Sequence, residues 1–133
     1  MLARRIEREM APMMEAYGLG LIPFAPLANG FLTGKYKRDM PLPEGARLTY
    51  MQRAAGRYLT DDNWAIVERL EGFAAKRGHT LLELAVSWLA RRPQVASVIA
   101  GATKPEQVEA NVRAAGWALT EADMQEIDRL TAR

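Results

Sequence analysis

The sequence predicts an α/β fold whose two strands run parallel and belong to a larger sheet. Three observations carry this reading. Two short apolar runs, Leu19–Ala25 and Val95–Ala100, show no polar alternation, the pattern of strands buried on both faces. Helical periodicity stands between and after them, and strands alternating with helices make βα units. Two strands leave a parallel sheet incomplete, so the elements read as a slice of a larger α/β fold.

The elements follow in chain order. Leu2, Ile6, Met10, Met13, Met14 and Tyr17 recur at steps of three or four, an amphipathic stripe. Pro12 interrupts it, because a proline inside a helix removes a donor and clashes with the preceding turn. A helix from about Ala11 to Tyr17, with Pro12 in its opening turn and Gly18 as its stop, satisfies both constraints. After the first strand, Pro26 to about Thr60 has no long period and is punctuated by Gly30, Gly34, Pro41, Pro43, Gly45 and Gly56. Such long loops are uncommon and usually functional or disordered.

Periodicity returns at Trp64, Val67, Leu70 and Phe73, with Asp61 and Asp62 where negative charge suits a helix start. Thr80 and Glu83 form a capping box for a helix over Leu81–Arg91, ended by Pro93. After the second strand, Gly101 and Ala102 make a tight turn. Thr103 and Glu106 form another capping box, opening a helix to about Ala115 with Val108 and Val112 inward. Thr120 begins a last helix with the stripe Met124, Ile127 and Leu130.

Composition narrows the function classes. The 133 residues suit one domain, 1–133, and 49% apolar with 26% charged residues is a globular balance. A net charge of +2 lacks the dense basic face of a nucleic-acid binder. With no cysteine and the single His79, disulfides, thiolate nucleophiles and Cys- or His-rich metal sites are excluded. No apolar run approaches the roughly 18 residues of a membrane span. The first residues carry no signal-peptide apolar region, so a soluble cytoplasmic chain is expected.

Two strand ends are candidate sites. The second leads into Gly101-Ala102-Thr103-Lys104-Pro105-Glu106-Gln107, a small-residue turn at a helix start, where free N–H groups and the helix dipole favour an anion. Thr103 adds a hydroxyl, Lys104 a charge and Gln107 a side chain one turn on. The alternative is that Thr103 only caps the helix. The first strand runs from Phe24 through Pro26, Leu27, Ala28 and Gly30 to Gly34 and Lys35, and its small residues would let a ligand approach the backbone. Its spacing is wrong for a Walker A motif, and Tyr36 stands where Ser or Thr is needed. Phe24 is either a stacking residue or a core aromatic. Between Lys35 and Arg57 six basic residues face two acidic ones, either a positive lid over an anion or a solvated loop. His79 reads as a turn residue in solvent. The seven methionines and three tryptophans read mostly as core filler. No nucleophile–base pair is present.

Taken together, the segments Gly18–Tyr36 and Val98–Asn111 resemble the seventh- and eighth-strand segments of the aldo-keto reductases, and the spacer helix with Leu84-Ala85-Val86-Ser87-Trp88-Leu89 is similar too. The resemblance covers essentially the whole chain. It implies the C-terminal slice of a TIM (β/α)8 barrel, with two parallel strands and flanking helices and a site at the strands' C-terminal ends. It implies NADP(H) as cofactor and a small aldehyde or ketone as substrate. Phe24 matches the nicotinamide-stacking aromatic, although Ala25 replaces the serine that usually follows. Pro26, Leu27, Ala28, Gly30 and Lys35 match the loop along the pyrophosphate. Gly101, Thr103 and Lys104 match the 2′-phosphate group. Gln107 and Asn111 match adenosine contacts, with Ala110 where many members carry Glu.

The family's catalytic Asp, Tyr, Lys and His have no counterpart here, so no catalytic residue is assigned. Met1 resembles an internal position of a longer protein. The expected function is therefore the cofactor-binding portion of a carbonyl reductase. The alternative is a non-catalytic nucleotide-binding or protein-interaction module. Exposed strand edges would also favour self-association.

Overall fold

The structure, a computed structural model, describes residues 1–132. Its helices are α1 (Met10–Ala16), α2 (Arg47–Tyr50), α3 (Gln52–Tyr58), α4 (Asp61–Ala75), α5 (Leu81–Ala90), α6 (Pro105–Arg113) and α7 (Glu121–Leu130). Three 3₁₀ segments join them, at Arg5–Glu7, Ala28–Thr33 and Ala114–Gly116.

The core forms where α4, α5 and α7 meet the Ala28–Thr33 turn. Leu70, Ile66 and Val67 of α4, Leu84 of α5 and Ile127 of α7 are almost fully enclosed. The 3.6-residue period puts each helix's apolar stripe on one side. Ser87 extends this packing by donating from its hydroxyl to the Ala114 carbonyl at 2.8 Å, tying α5 to the last 3₁₀ turn. At the rim, Asp128 Oδ1 receives Arg92 at 2.7 Å and Arg4 at 2.9 Å. Both guanidiniums lie over the Trp88 ring, at 4.3 and 5.6 Å.

The helix starts follow local chemistry. Thr80 and Glu83 form the expected capping box, with Glu83 Oε2 accepting from the Thr80 N–H at 2.7 Å and from its hydroxyl at 2.8 Å. Thr120 and Asp123 form a second one. Thr60 caps α4. The other expected box, at Thr103 and Glu106, is absent: Lys104, not Thr103, is the N-cap of α6, and no side chain caps it. Pro105 takes the first helical position, which its fixed φ suits, so the start moves one residue on.

The two expected strands do not form. Leu19–Ala25 and Val95–Ala100 meet in a single parallel bridge, Leu21 with Val95. The Leu21 N–H donates to the Gln94 carbonyl at 2.6 Å, and the Ala96 N–H donates to the Leu21 carbonyl at 2.9 Å. A strand inside a parallel sheet needs a partner on each side, and among the described residues each run has only the other. Expected burial fails with it: Leu19, Ile22, Phe24 and Ile99 are exposed. Val108 and Val112, expected inward on α6, are exposed too, Val112 at 71%.

Other departures share a tertiary cause. The loop expected from Pro26 to Thr60 contains α2, α3 and a 3₁₀ segment, because Phe31, Leu32, Tyr36, Ala46 and Leu48 plant it in the core. The methionine stripe of α1 is not core, since Met10 and Met13 are exposed. Met40 and Met51 are exposed as well, whereas Met1 and Met124 are buried. His79 is not a free turn residue: its ring stacks on Trp117 at 4.0 Å, and Nδ1 lies 3.6 Å from Glu83.

A Cβ on Gly20 would stand 2.8 Å from the Ala96 Cβ, so Gly20→Ala must spread the bridge. Urea unfolding should show a loss of about 1–3 kcal/mol, the usual cost of overpacking. In the α5 box, the Thr80 N–H and hydroxyl hold the Glu83 carboxyl below its ordinary range. That contribution is present above the unfolded value of 4.5 and disappears as pH falls through the lower folded value. Thr80→Ala should cost about 1 kcal/mol at pH 7. The stability gap between Glu83→Ala and the parent chain should close as pH drops below 4.5.

Candidate functional site

The Leu21–Val95 bridge aligns the two runs, so the segments that follow them face the same space. Between them lies a cavity of about 340 Å³. Pro26, Leu27, Gly30 and Lys35 line it from the first segment. Gly101, Thr103, Gln107 and Asn111 line it from the second segment and α6.

Three expected residues stand apart. Phe24 points to solvent, 99% exposed, and does not line the cavity. Ala28 faces the core at 4% exposure. Lys104 is exposed at the N-cap of α6, next to the cavity but outside its lining.

The first wall has unusual backbone. Ala25, Ala28 and Asn29 have φ of 50°, 49° and 55°, and Gly30 has 91°. Left-handed conformations at non-glycine residues cost roughly 1–2 kcal/mol each, and they persist where packing over-determines them. Here the buried Leu27, Ala28, Phe31 and Leu32 supply that packing. Gly30 also lies close to Lys35: a Cβ there would stand 3.1 Å from Cε and Nζ, the mobile end of that side chain.

Sequence reasoning counted Arg47 only as loop charge and passed over Tyr50. The structure brings both to the cavity on α2. Leu48 is buried, and its N–H donates to the Tyr36 hydroxyl at 3.0 Å inside the core. With α2 held by Leu48, Arg47 and Tyr50, three apart, share one side of its turn. The Arg47 Nη2 reaches across to the second wall, 4.0 Å from the point a Cβ on Gly101 would occupy. The available signal was a single apolar residue between an arginine and a tyrosine, and a four-residue helix gives no period to read.

Charge in the long loop is sorted. Lys37 pairs with Glu71 at 3.0 Å, and Arg38 pairs with Asp61 at 2.7 Å and Glu68 at 3.7 Å, so these cations lie against α4. The expected positive lid is therefore reduced. Lys35 and Arg47, which line the cavity, have no ion-pair partner among the described residues, and no described carboxylate lines it. Unpaired cations in a concave site attract an anion. On the opposite wall, Gln107 Oε1 accepts from the Thr103 N–H at 2.8 Å and its hydroxyl at 3.3 Å. Thr103 thus hydrogen-bonds to Gln107 and does not cap α6. No group of metal-ligating side chains occurs among the described residues.

A chain with this cavity between two strand-end loops matches the profile of the Aldo/keto reductase family over residues 1–132. The chain belongs to the aldo/keto reductase family. It is 41% identical over 111 residues to a probable voltage-gated potassium channel subunit beta of Oryza sativa, covering 83% of this chain and 34% of that protein. An L-glyceraldehyde 3-phosphate reductase of Escherichia coli K12 is 37% identical over 101 residues, 73% of this chain and 29% of that protein. An NADH-specific methylglyoxal reductase of the same organism is 33% identical over 124 residues, 92% of this chain and 36% of that protein. The glycerol dehydrogenase of Gluconobacter oxydans superimposes with a TM-score of 0.74 and 28% identity, covering 96% of this chain and 38% of that one.

This aldo/keto reductase chain spans about a third of the length of the curated relatives it matches. Its fold relationship is to the family's TIM barrel, with the expected strand pair reduced to one bridge. No helix among the described residues is long and apolar enough to cross a membrane.

The Tyr36–Leu48 hydrogen bond supports the placement of α2, and removing it is a direct test. Tyr36→Phe leaves a buried N–H without an acceptor, a loss of about 1–3 kcal/mol. Hydrogen exchange should show residues 47–50 losing protection first, while α5 stays protected.

Proposed function

We propose that this chain is the cofactor-binding C-terminal portion of an NADPH-dependent aldo-keto reductase that reduces aldehydes or ketones. One observation supports the reading above the others: two strand-end loops converge on one cavity that holds two unpaired cations and no described carboxylate. That donor set suits the pyrophosphate of a dinucleotide.

Lys35 and Arg47 would hold the pyrophosphate, with Gly30 leaving room beside it. Thr103 and the neighbouring Lys104 would hold the 2′-phosphate, and Gln107 would release the Thr103 donors it now occupies. Asn111 would meet the adenosine side. A bound nicotinamide dinucleotide supplies the hydride that reduces a carbonyl. In this reading the chain's residues bind and orient the cofactor. Phe24 lies outside the cavity, so its stacking role would require the segment to turn inward.

A second reading, a non-catalytic nucleotide-binding or protein-interaction module, is favoured by the 41% identity to the potassium channel subunit beta. Calorimetric titration with NADPH tests binding, and an NADPH oxidation assay with aldehydes separates the two readings in a longer protein. For the 133-residue chain, we expect saturable binding and no turnover. Arg47→Ala should weaken binding about tenfold, the loss of one charge-assisted contact. Lys104→Glu should weaken NADPH more than NADH. Equal losses for the two cofactors would show that Lys104 does not read the 2′-phosphate, and turnover by the purified chain would overturn the binding-only role.

A further inference from the structure

The dinucleotide reading leaves one feature of the cavity unused. Its lining contains a single aromatic side chain among the described residues, Tyr50. Phe24, the aromatic that the sequence offered for stacking, is turned out to solvent. Tyr50 is 66% exposed, and neither its ring nor its hydroxyl has a partner among the described residues. It therefore contributes little to the core, and its place on the lining is free for a ligand.

The backbone that carries it is nonetheless anchored. Leu48, two residues earlier, is buried and hydrogen-bonded to the Tyr36 hydroxyl. Arg47, on the same side of the turn, reaches the Gly101 wall. A ring and a cation on the lining of one cavity suit a planar heteroaromatic group carrying phosphate. The cation meets the charge and the ring meets the π-face.

The geometry points to Tyr50 as a stacking residue for a heteroaromatic ring of the bound dinucleotide, acting beside Arg47 at the rim of the cavity. The inference rests on the dinucleotide reading proposed for this cavity. Either ring of the dinucleotide offers the same chemistry, and separate probes tell them apart.

The test is calorimetric titration of the 133-residue chain and of Tyr50→Ala and Tyr50→Phe. The probes are NADPH, 2′,5′-ADP, reduced nicotinamide mononucleotide and inorganic pyrophosphate. Tyr50→Ala should weaken NADPH about tenfold, the scale of one lost ring stack. Tyr50→Phe, which keeps the ring, should bind as the parent does. Pyrophosphate affinity and the unfolding midpoint should stay unchanged in both variants, because Tyr50 is exposed. A loss confined to 2′,5′-ADP assigns the adenine ring, and a loss confined to the mononucleotide assigns the nicotinamide. Parent-like NADPH affinity in Tyr50→Ala overturns the inference, as does an equal loss for pyrophosphate. Failure of the parent chain to bind NADPH at all overturns the dinucleotide reading, and the stacking role with it.

Discussion

The perpendicular contact between Phe31 and Trp64 is the one on which the site depends. The rings lie 4.7 Å apart at 86°, a favourable edge-to-face geometry. Phe31 belongs to the loop after the first apolar run, and Trp64 to α4. Their contact pulls the loop onto the helical core, and Tyr36 and Leu48 bury themselves behind it. Everything the loop presents outward is set by what it buries. Lys35 lies just before one anchor, and Arg47 and Tyr50 flank the other. The chain gains a binding wall as the reverse side of its own packing.

The same packing sorts the loop's charge. Lys37 and Arg38 fall against the acidic face of α4, where Glu71, Asp61 and Glu68 neutralise them. These are exposed pairs and contribute modestly to stability. Their larger effect is to leave Lys35 and Arg47 as the cations facing the cavity. A local excess of positive charge thus becomes a directed one.

The helices and the paired runs differ in how they are held. A helix closes its hydrogen bonds within its own segment, and a capping box adds a partner three residues away. Thr80 with Glu83 and Thr120 with Asp123 behave this way; the first box was legible from residue spacing, the second only as a helix start at Thr120. Thr103 broke the pattern because Pro105 takes the first helical position and moves the helix start one residue on. The apolar runs depend on neighbours outside themselves, and with one neighbour each they reach only a single bridge.

The sequence by itself determined α4, α5 and α7, the α5 capping box and most of their buried faces, because 3.6-residue periodicity and capping are local. It also marked both strand-end segments, since small residues around Gly30 and Gly101 are visible without a fold. Tertiary structure alone decided that these segments share one cavity, because Leu21 and Val95 meet across more than seventy residues of chain. It decided that Arg47 and Tyr50 join the cavity, because the burial of Leu48 orients a helix too short to show a period. It also decided that Phe24 stays outside: its apolar character was legible, but which side of the run finds a covering surface depends on contacts distant in the chain.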